Sequence, residues 1–561
     1  MTQVLQAERP TEGSANAAAG DRDAPRPYKE SDGAAISLSP AETEAQLATA
    51  IANFGQPLRI VQAPGIGRFA LSGAPQEKIA DQAGGELVGL LPPCRPSSLG
   101  ARSFLATHGS RFAYVVGEMA RGIASAEMVI AAAKAGLFGF FGAAGLRRPV
   151  IAEAIGQIQA GLGAGASSWG ANLIHNPHHP ESERDTVDLY LERGVARVSA
   201  SAFMQLSLEV VRYAARGLSR DAMGNVSRAT HVFAKVSRTE VAEPFMSPPP
   251  ADLLRELAAA GRLTAEQAEL QSRLPVAEDI TVESDSGGHT DNRPILVLLP
   301  AVAALRERLA AKHGHGREIR LGAAGGLGTP VAVAAAFQAG ADYVMTGSVN
   351  QSAVESGLSM SGRELLAQCG MADVAMAPAA DMFELGVKVQ VVKRGTMFAI
   401  KAQRLYDLYR RYDNFEDIPQ RERSWVETQV LRDSFANAWA ATRAHHAKGK
   451  PELVATADRD GKQRMGLTFR AFLFMASQWA REGHKDRLVD FQIWCGPAMG
   501  AFNDWVKGSF LEPLANRTVA QIAWNLLQGA TIVTRAQQLR AAGVSLPASL
   551  LNYRPRPLNL V

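Results

Sequence analysis

Cysteine is scarce in this chain. Its 561 residues include three cysteines, Cys94, Cys369 and Cys495. They lie far apart and match neither a disulfide framework nor a zinc-binding spacing, so a reducing, cytoplasmic location is expected. The formal net charge of +4 is also small, whereas a dedicated nucleic-acid binder usually carries a concentrated basic stripe. We therefore expect no nucleic-acid partner.

Long apolar runs are missing as well. The most apolar stretch, residues 126–146, is rich in glycine and contains Glu127 and Lys134, so it predicts a buried helix and strand and no membrane contact. Residues 1–36 lack the apolar core of a secretory signal, and their composition predicts a disordered leader. The apolar fraction of 47% allows large cores, and the chain length predicts two or three domains.

Short apolar segments alternate with helical patterns from Phe112 onward, which is typical of βα units around a parallel sheet. The pattern predicts eight strands, at residues 112–117, 137–142, 170–175, 195–200, 230–236, 280–284, 318–324 and 342–347. Eight such units predict an α/β protein with a (β/α)8 barrel over residues 111–360. An open doubly wound sheet is the alternative, but no dinucleotide-binding fingerprint follows the first strand.

Other segments surround the predicted barrel. Residues 247–277, after the fifth strand, predict two helices, 251–260 and one that begins with a capping box of Thr264 and Gln267. This insertion is expected at the barrel mouth, as a lid over His289. Residues 37–110 predict a small α+β unit with a strand pair. Residues 361–445 predict a helix-rich extension that closes the barrel, and residues 453–561 predict a C-terminal helical segment.

The segment ESDSGGHTDN (residues 283–292) follows the sixth predicted strand. Gly287 and Gly288 carry no Cβ and would let the backbone approach a ligand closely. His289 follows them, between Asp285 and Asp291. A histidine at the end of a barrel strand can act as a general acid or orient a carbonyl group. A structural role is equally open from the residues alone.

Two further glycine loops end the seventh and eighth predicted strands, with Gly325 and Gly326 in one and Gly347 and Ser348 in the other. Barrels commonly bind phosphate between these two loops. Asn172 and Lys235 are predicted to face the same mouth, where an amide and a cation could contact a flavin ring. FMN would fit this arrangement, and a phosphosugar is the alternative.

Other candidate residues have weaker patterns. His175, His178 and His179 form a cluster after the third strand, but their spacing matches no common zinc motif, and we predict no metal. His313 and His315 are expected to be solvated. Cys495 predicts a small buried thiol, because no base is evident near it in the sequence.

The motifs together resemble a known family, the PfaD-like trans-acting enoyl reductases of polyketide and polyunsaturated fatty acid synthases, which are related to nitronate monooxygenase barrels. The resemblance extends from about Pro92 to the C-terminus. It is carried by the segments YVVGEMARGIASAE, GFFGAAGL, ITVESDSGGHTDNRP, GAAGGLGTP, YVMTGSVNQ, MAPAADMFELGVKVQVVKRGTMF and FQIWCGPAMGAFNDWVKGS.

The resemblance implies an FMN barrel that takes hydride from NADPH, or from NADH, and reduces 2-enoyl thioesters held on an acyl carrier protein. His289 and Asp285 would be catalytic, and Glu118 stands where the relatives often have a small or apolar residue. The residues implied in FMN binding are Met119, Ala120, Asn172, Lys235, Gly287, Gly288, Gly325, Gly326, Gly347 and Ser348.

Two other functions stay open from the sequence. One is a nitronate oxidase on the same barrel, which needs neither nicotinamide nor carrier protein. The other is a flavin-free docking protein, since residues 386–450 carry a basic excess that could meet an acidic carrier protein. The basic residues of this region include Lys388, Lys393, Lys401, Arg404, Arg410 and Arg411. The sequence also allows a homodimer.

Overall fold

The computed structural model describes residues 40–63, 67–71, 86–163, 165–175, 180–314 and 319–560. The predicted leader, residues 1–36, lies outside these ranges, as do His178, His179 and His315. Within them, no helix has both the length and the apolar character needed to cross a membrane.

A small antiparallel sheet precedes the barrel. Helix α1 (Pro40–Ala52) leads into strands β1 (Leu58–Ala63), β2 (Gly67–Leu71) and β3 (Glu86–Leu91), and β1 lies in the centre. The predicted strand pair is confirmed as β1 and β2, whereas the sequence pattern did not reveal β3. Leu58 and Ile60 pack with Leu539, so the sheet is attached to the last long helix of the chain.

Eight parallel strands close into a barrel in the order predicted from the sequence. They are β4 (Tyr114–Val116), β5 (Phe138–Phe141), β6 (Trp169–Ile174), β7 (Arg197–Ser201), β10 (His231–Val236), β11 (Asp279–Glu283), β12 (Arg320–Ala324) and β13 (Tyr343–Thr346), with a hairpin of β8 (Leu218–Arg220) and β9 (Val226–Arg228) between β7 and β10. Strands β4, β5 and β13 are buried along their whole length, as expected for short apolar strands that are covered on both faces. The α/β class and the (β/α)8 barrel are confirmed.

Helices surround the barrel. They are α2 (Arg102–His108), α3 (Ala126–Lys134), α4 (Arg148–Leu162), α5 (Pro180–Glu192), α6 (Leu208–Arg216), α7 (Thr239–Met246), α8 (Ala251–Ala259), α9 (Ala265–Gln271), α10 (Ile295–His313) and α11 (Pro330–Gln338). Thr329 caps α11 by accepting a hydrogen bond from the backbone N–H of Ala332 at 3.3 Å, a role that threonine favours at the start of a helix.

Helix α2 closes the end of the barrel at which the strands begin. Phe104 stacks on Tyr343 with ring centroids 4.6 Å apart. His108 Nε2 lies 3.0 Å from Asp279 Oδ2, and Arg320 Nε and Nη2 donate to the two oxygens of Asp279 at 2.6 and 2.8 Å. The predicted boundary of the N-terminal unit at residue 110 is therefore wrong, because α2 belongs to the barrel core.

The insertion forms the predicted helices α8 and α9, and the capping box of Thr264 and Gln267 is confirmed. Gln267 Nε2 donates to the carbonyl of Arg216 at the C-terminal end of α6, and Arg262 Nη2 donates to Glu209 on the same helix. The two helices thus lie on the outer face of α6. The prediction of a lid over His289 is wrong, because an amphipathic pattern predicts an apolar face but not the neighbour that it meets.

A hairpin and a helical unit follow the barrel. The elements are α12 (Met360–Ala367), the antiparallel strands β14 (Val374–Pro378) and β15 (Lys388–Val392), α13 (Phe398–Arg411), α14 (Gln420–Trp425), a π-helical turn (Val426–Leu431), α15 (Phe435–Ala447), α16 (Pro451–Ala457), α17 (Gly461–Glu482), α18 (Ala498–Val506) and α19 (Val519–Ala541). The region predicted to be helix-rich therefore also contains a β-hairpin.

The last long helix, α19, completes the outer ring of the barrel. It packs against α11 and α3, which follow the seventh and the first barrel strands. Trp524 Nε1 on α19 donates to the carbonyl of Ala135 at 3.1 Å. The eighth helix of a (β/α)8 barrel occupies this position, so a helix from the far end of the chain replaces it.

Candidate active site

The Gly-Gly-His loop follows β11 and is held by β15. Gly288 and Gln390 exchange two backbone hydrogen bonds, of 3.0 and 2.7 Å. Gln390 Nε2 also donates to Asp285 Oδ1 at 2.8 Å, and Asn292 Nδ2 donates to the same oxygen at 2.8 Å. One oxygen of Asp285 thus fixes the shape of the loop, and a catalytic role for Asp285 stays a prediction.

Gly287 lies directly against the backbone of Cys495. A Cβ on Gly287 would lie 2.7 Å from the backbone nitrogen of Cys495, closer than real Cβ contacts allow. The Cβ side of Gly287 is therefore filled by protein backbone, and a contact of Gly287 with the cofactor stays a prediction. Gly288 has φ +84°, a conformation that favours glycine.

His289 lies beside Asp381, a residue that the sequence did not single out. His289 Nε2 is 3.4 Å from Asp381 Oδ1, and the two side chains are 39% and 55% exposed. Partial burial would raise the pKa of Asp381, but the hydrogen bond and charge of His289 outweigh it and lower that pKa. Asp381 lies in the turn between β14 and β15, so its approach to His289 depends on the pairing of β15 with the loop.

The two glycine loops after β12 and β13 lie side by side, because these strands are neighbours. Gly325 and Gly326 have φ +86° and +70°. A Cβ on Gly326 would meet no heavy atom within 4 Å, so its backbone borders open space. Helix α11 begins four residues later, at Pro330, and the N-terminus of a helix favours anions. Together with Gly347 at the adjacent strand end, this arrangement suits a phosphate group.

A segment of the C-terminal region lies against these loops. The backbone N–H of Gly496 donates to Ser348 Oγ at 3.1 Å, and Gln351 Nε2 donates to the carbonyl of Trp494 at 2.5 Å. Cys495 between them is buried, and burial raises the pKa of its thiol, which agrees with the predicted small buried thiol. The sequence did not reveal that residues 494–496 form a wall beside these loops, because their contact partners lie more than 140 residues away in the chain.

The loop after β4 contains Met119 and Ala120, which were predicted to contact the cofactor. A Cβ on Gly347 would lie 3.9 Å from Met119 Sδ, so Met119 faces the glycine loop after β13. The next residue, Arg121, has φ +60° and donates to Ser477 Oγ on α17 at 2.6 Å. The loop after β4 is thereby attached to the helical unit.

Lys235 on β10 joins two carboxylates at the barrel mouth. Its Nζ lies 3.2 Å from Glu118 Oε1 and 2.9 Å from Glu283 Oε1. Burial opposes the charge of Lys235, but the two carboxylates outweigh it and raise the pKa above its ordinary value. The structure therefore brings Lys235 to the mouth as predicted and adds Glu118 and Glu283 to it.

Asn172 on β6 is buried at the same end of the barrel. Its Nδ2 donates to the carbonyl of Ser199 at 3.1 Å and to Ser201 Oγ at 2.8 Å. Both amide protons are thus used, which leaves Oδ1 as the atom that can accept a hydrogen bond from a ligand.

These residues fit FMN. The side-chain-free backbone of Gly326 and Gly347 leaves room for a phosphate, and Asn172 offers an acceptor to the N–H of a flavin. Lys235 supplies a charged group at the mouth. No cluster of three potential metal ligands occurs among the residues that the structure describes. His175 instead pairs with Glu183, with His175 Nδ1 2.8 Å from Glu183 Oε2.

The predicted basic face of residues 386–450 is only partly exposed. Lys401 is buried, and its Nζ lies 2.5 Å from Asp490 Oδ1, so the prediction that it meets a partner is wrong. Arg404 is half-buried, donates to Glu422 and stacks on Trp425. Four of the six basic residues remain exposed, namely Lys388, Lys393, Arg410 and Arg411.

In comparison with known proteins, one family model matches part of this chain, and several longer proteins match most of it. Residues 412–491 match the family described as "[Acyl-carrier-protein] S-malonyltransferase, inserted helical domain". The chain is 44% identical over 524 residues to a component of the polyunsaturated fatty acid synthase of Thraustochytrium sp., and the match covers 92% of this chain and 34% of that protein. It is 42% identical over 430 residues to the polyketide biosynthesis protein PksE of Bacillus subtilis, with 77% and 56% covered.

A solved structure matches more completely. The enoyl reductase domain of MlnA, from the macrolactin biosynthesis cluster of Bacillus amyloliquefaciens, has a TM-score of 0.75 and 38% identity, and the match covers 79% of this chain and 99% of that one. The chain spans 23% to 56% of the length of its curated relatives. This chain therefore belongs to the PfaD-like enoyl reductase family of polyketide and polyunsaturated fatty acid synthases.

Proposed function

We propose that this chain is an enoyl reductase that uses bound FMN and NADPH, or NADH, to reduce 2-enoyl thioesters on an acyl carrier protein. The observation that carries the proposal is the position of His289, beside Asp381 and at the same barrel mouth as the glycine loops. The match to the MlnA enoyl reductase domain over nearly its whole length supports a reductase rather than a nitronate oxidase.

When bound, FMN would supply the hydride that reaches the β-carbon of the enoyl thioester. The protein then has to orient the thioester and provide for the proton that the α-carbon gains. His289 Nε2 faces Asp381, which leaves Nδ1 to face a substrate. From there His289 either donates a hydrogen bond to the thioester carbonyl or donates the proton itself. Asp381 would hold the imidazole in the required orientation.

An acyl carrier protein is proposed as the partner on two grounds. The helical unit of residues 412–491 resembles part of a transferase that acts on an acyl carrier protein. Lys388, Lys393, Arg410 and Arg411 are exposed and could meet an acidic carrier surface.

The test is to record the visible spectrum of the purified chain and then to titrate it with NADPH. A flavin spectrum that bleaches with NADPH and recovers when a 2-enoyl carrier thioester is added supports the proposal. The matched variant His289→Gln should keep the spectrum and its bleaching but recover at least tenfold more slowly. Oxygen uptake with an alkyl nitronate and no NADPH, without reduction of the thioester, would instead identify an oxidase.

A further inference from the structure

The group of Glu118, Lys235 and Glu283 has an unusual charge balance. Lys235 is at the end of the fifth barrel strand, Glu118 follows the first strand and Glu283 ends the sixth. One ammonium therefore bridges the barrel mouth between two carboxylates, at 3.2 and 2.9 Å. The group carries one net negative charge when all three side chains are ionised.

Glu118 is the member of the group whose presence needs an explanation. Its side chain is 2% exposed, and within the described part of the chain its two carboxylate oxygens have no recorded partner other than the Lys235 ammonium, 3.2 Å from Oε1. Glu283 differs, because it is 16% exposed and accepts a hydrogen bond from Ser286 Oγ at 2.9 Å. Burying a carboxylate that has one ion-pair partner and no second donor is costly. One carboxylate would suffice to neutralise Lys235, so stability does not account for the second.

Lys235 is the member that can act on a ligand. Its side chain is 21% exposed, so it is the more accessible partner of Glu118. The pair spans the mouth from β10 to the loop that contains Met119 and Ala120, both implied in flavin contact. Loss of the Glu118 carboxylate would therefore change the position and the charge environment of the Lys235 ammonium at the mouth.

We propose that Glu118 is a positioning residue that holds the Lys235 ammonium across the barrel mouth and makes the charged group at this mouth net negative. The inference rests on the proposed function. A positive lysine alone would stabilise the reduced, anionic flavin. The second carboxylate opposes that effect and keeps the bound flavin a strong hydride donor, which the reduction of an alkene requires.

The experiment compares Glu118→Gln with the wild-type chain and with Glu243→Gln, which removes the same charge from an exposed position on α7. In the FMN-loaded chains the measurement is the midpoint potential, from a photoreduction titration with a reference dye. We expect Glu118→Gln to raise the ratio of reduced to oxidised flavin at a fixed potential at least tenfold, about 30 mV for a two-electron couple. Glu243→Gln should leave it unchanged.

A second measurement does not depend on flavin. In FMN-free chains, the rate at which an amine-reactive reagent labels Lys235 is followed by mass spectrometry. Loss of the Glu118 carboxylate removes one ion-pair partner of Lys235 and lowers the fraction of Lys235 that is protonated. We therefore expect labelling of Lys235 to be at least threefold faster in Glu118→Gln. Glu283→Gln should act in the same direction, and it serves as the test if circular dichroism shows that Glu118→Gln does not fold.

The outcomes separate the two proposals. A wild-type chain that binds no FMN refutes the proposed function, and the labelling rate still decides whether Glu118 clamps Lys235. An FMN-loaded Glu118→Gln chain whose potential equals that of Glu243→Gln overturns the electrostatic role. An unchanged labelling rate overturns the clamp.

Discussion

Removing the charge of Asp279 should destabilise the barrel more than any surface change. The Asp279 side chain is fully buried, between His108 at 3.0 Å and the bidentate guanidinium of Arg320. Asp279→Asn keeps the shape but leaves the guanidinium, 5% exposed, without its countercharge. Breaking one partner of a buried ion pair typically costs about 3–5 kcal/mol, which corresponds to a fall in Tm of about 6–20 °C at about 2–4 °C per kcal/mol.

The size of this effect should depend on pH. Burial would raise the pKa of Asp279, but His108 and Arg320 outweigh it, so the pKa in the folded state lies below its ordinary value. The stability that the carboxylate contributes is therefore present at neutral pH and is lost as the pH falls below about 3.9, the unfolded value. Burial also lowers the pKa of His108. Protonation of the unfolded chain below about pH 6.5 then removes further stability from the wild type.

The assay is thermal unfolding followed by circular dichroism between pH 3 and pH 7. The control is Asp413→Asn, in which a carboxylate 90% exposed loses its pairing with Lys462, and its Tm should barely move. A fall in Tm of less than about 2 °C for Asp279→Asn at pH 7, equivalent to about 1 kcal/mol or less, would show that the barrel does not depend on the Asp279 charge. The Tm difference between the wild type and Asp279→Asn should shrink between pH 5 and pH 3. A difference that stays constant over this range would contradict its assignment to the Asp279 charge.

Other predictions concern the mouth. Asp381→Asn should slow enoyl reduction less than His289→Gln does, and the double variant should be no slower than His289→Gln, since Asp381 acts through the imidazole; additive losses in stopped-flow rates would contradict this. Gly347→Val should weaken FMN binding at least tenfold in a fluorescence titration. The Tm of the FMN-free chain should stay unchanged, because a Cβ at this position meets only Met119 Sδ, at 3.9 Å. Equal FMN affinity would show that the phosphate does not bind beside Gly347. Gly287→Ala should lower Tm even without FMN, since its Cβ would lie 2.7 Å from the backbone of Cys495. An unchanged Tm would show that the backbone around Cys495 can move to accommodate the methyl group.

The barrel could be predicted from the sequence because each strand is a short apolar run bounded by helical patterns. All eight strands occur where the pattern predicts them, and the Thr264 capping box is also correct. Such features are local, since a few neighbouring residues decide them.

Features that depend on distant contacts could not be predicted in this way. Helices α8 and α9 are where the pattern puts them, but only tertiary packing shows that they cover α6. Asp381 reaches His289 because β15 pairs with Gly288, and no spacing in the sequence encodes that pairing. The β-branched alternation of KVQVV was a readable signal for β15, but the helical periodicity around it was stronger.

The position of α19 has a consequence for how the protein is made. A ribosome releases the chain from the N-terminus, so all eight barrel strands emerge while the helix that fills the last gap in the ring, between α11 and α3, is still unsynthesised. Residues 494–496, which lie against Ser348 and Gln351, are equally late. The barrel of a nascent chain therefore keeps an open apolar flank until these late segments fold back onto strands made hundreds of residues earlier.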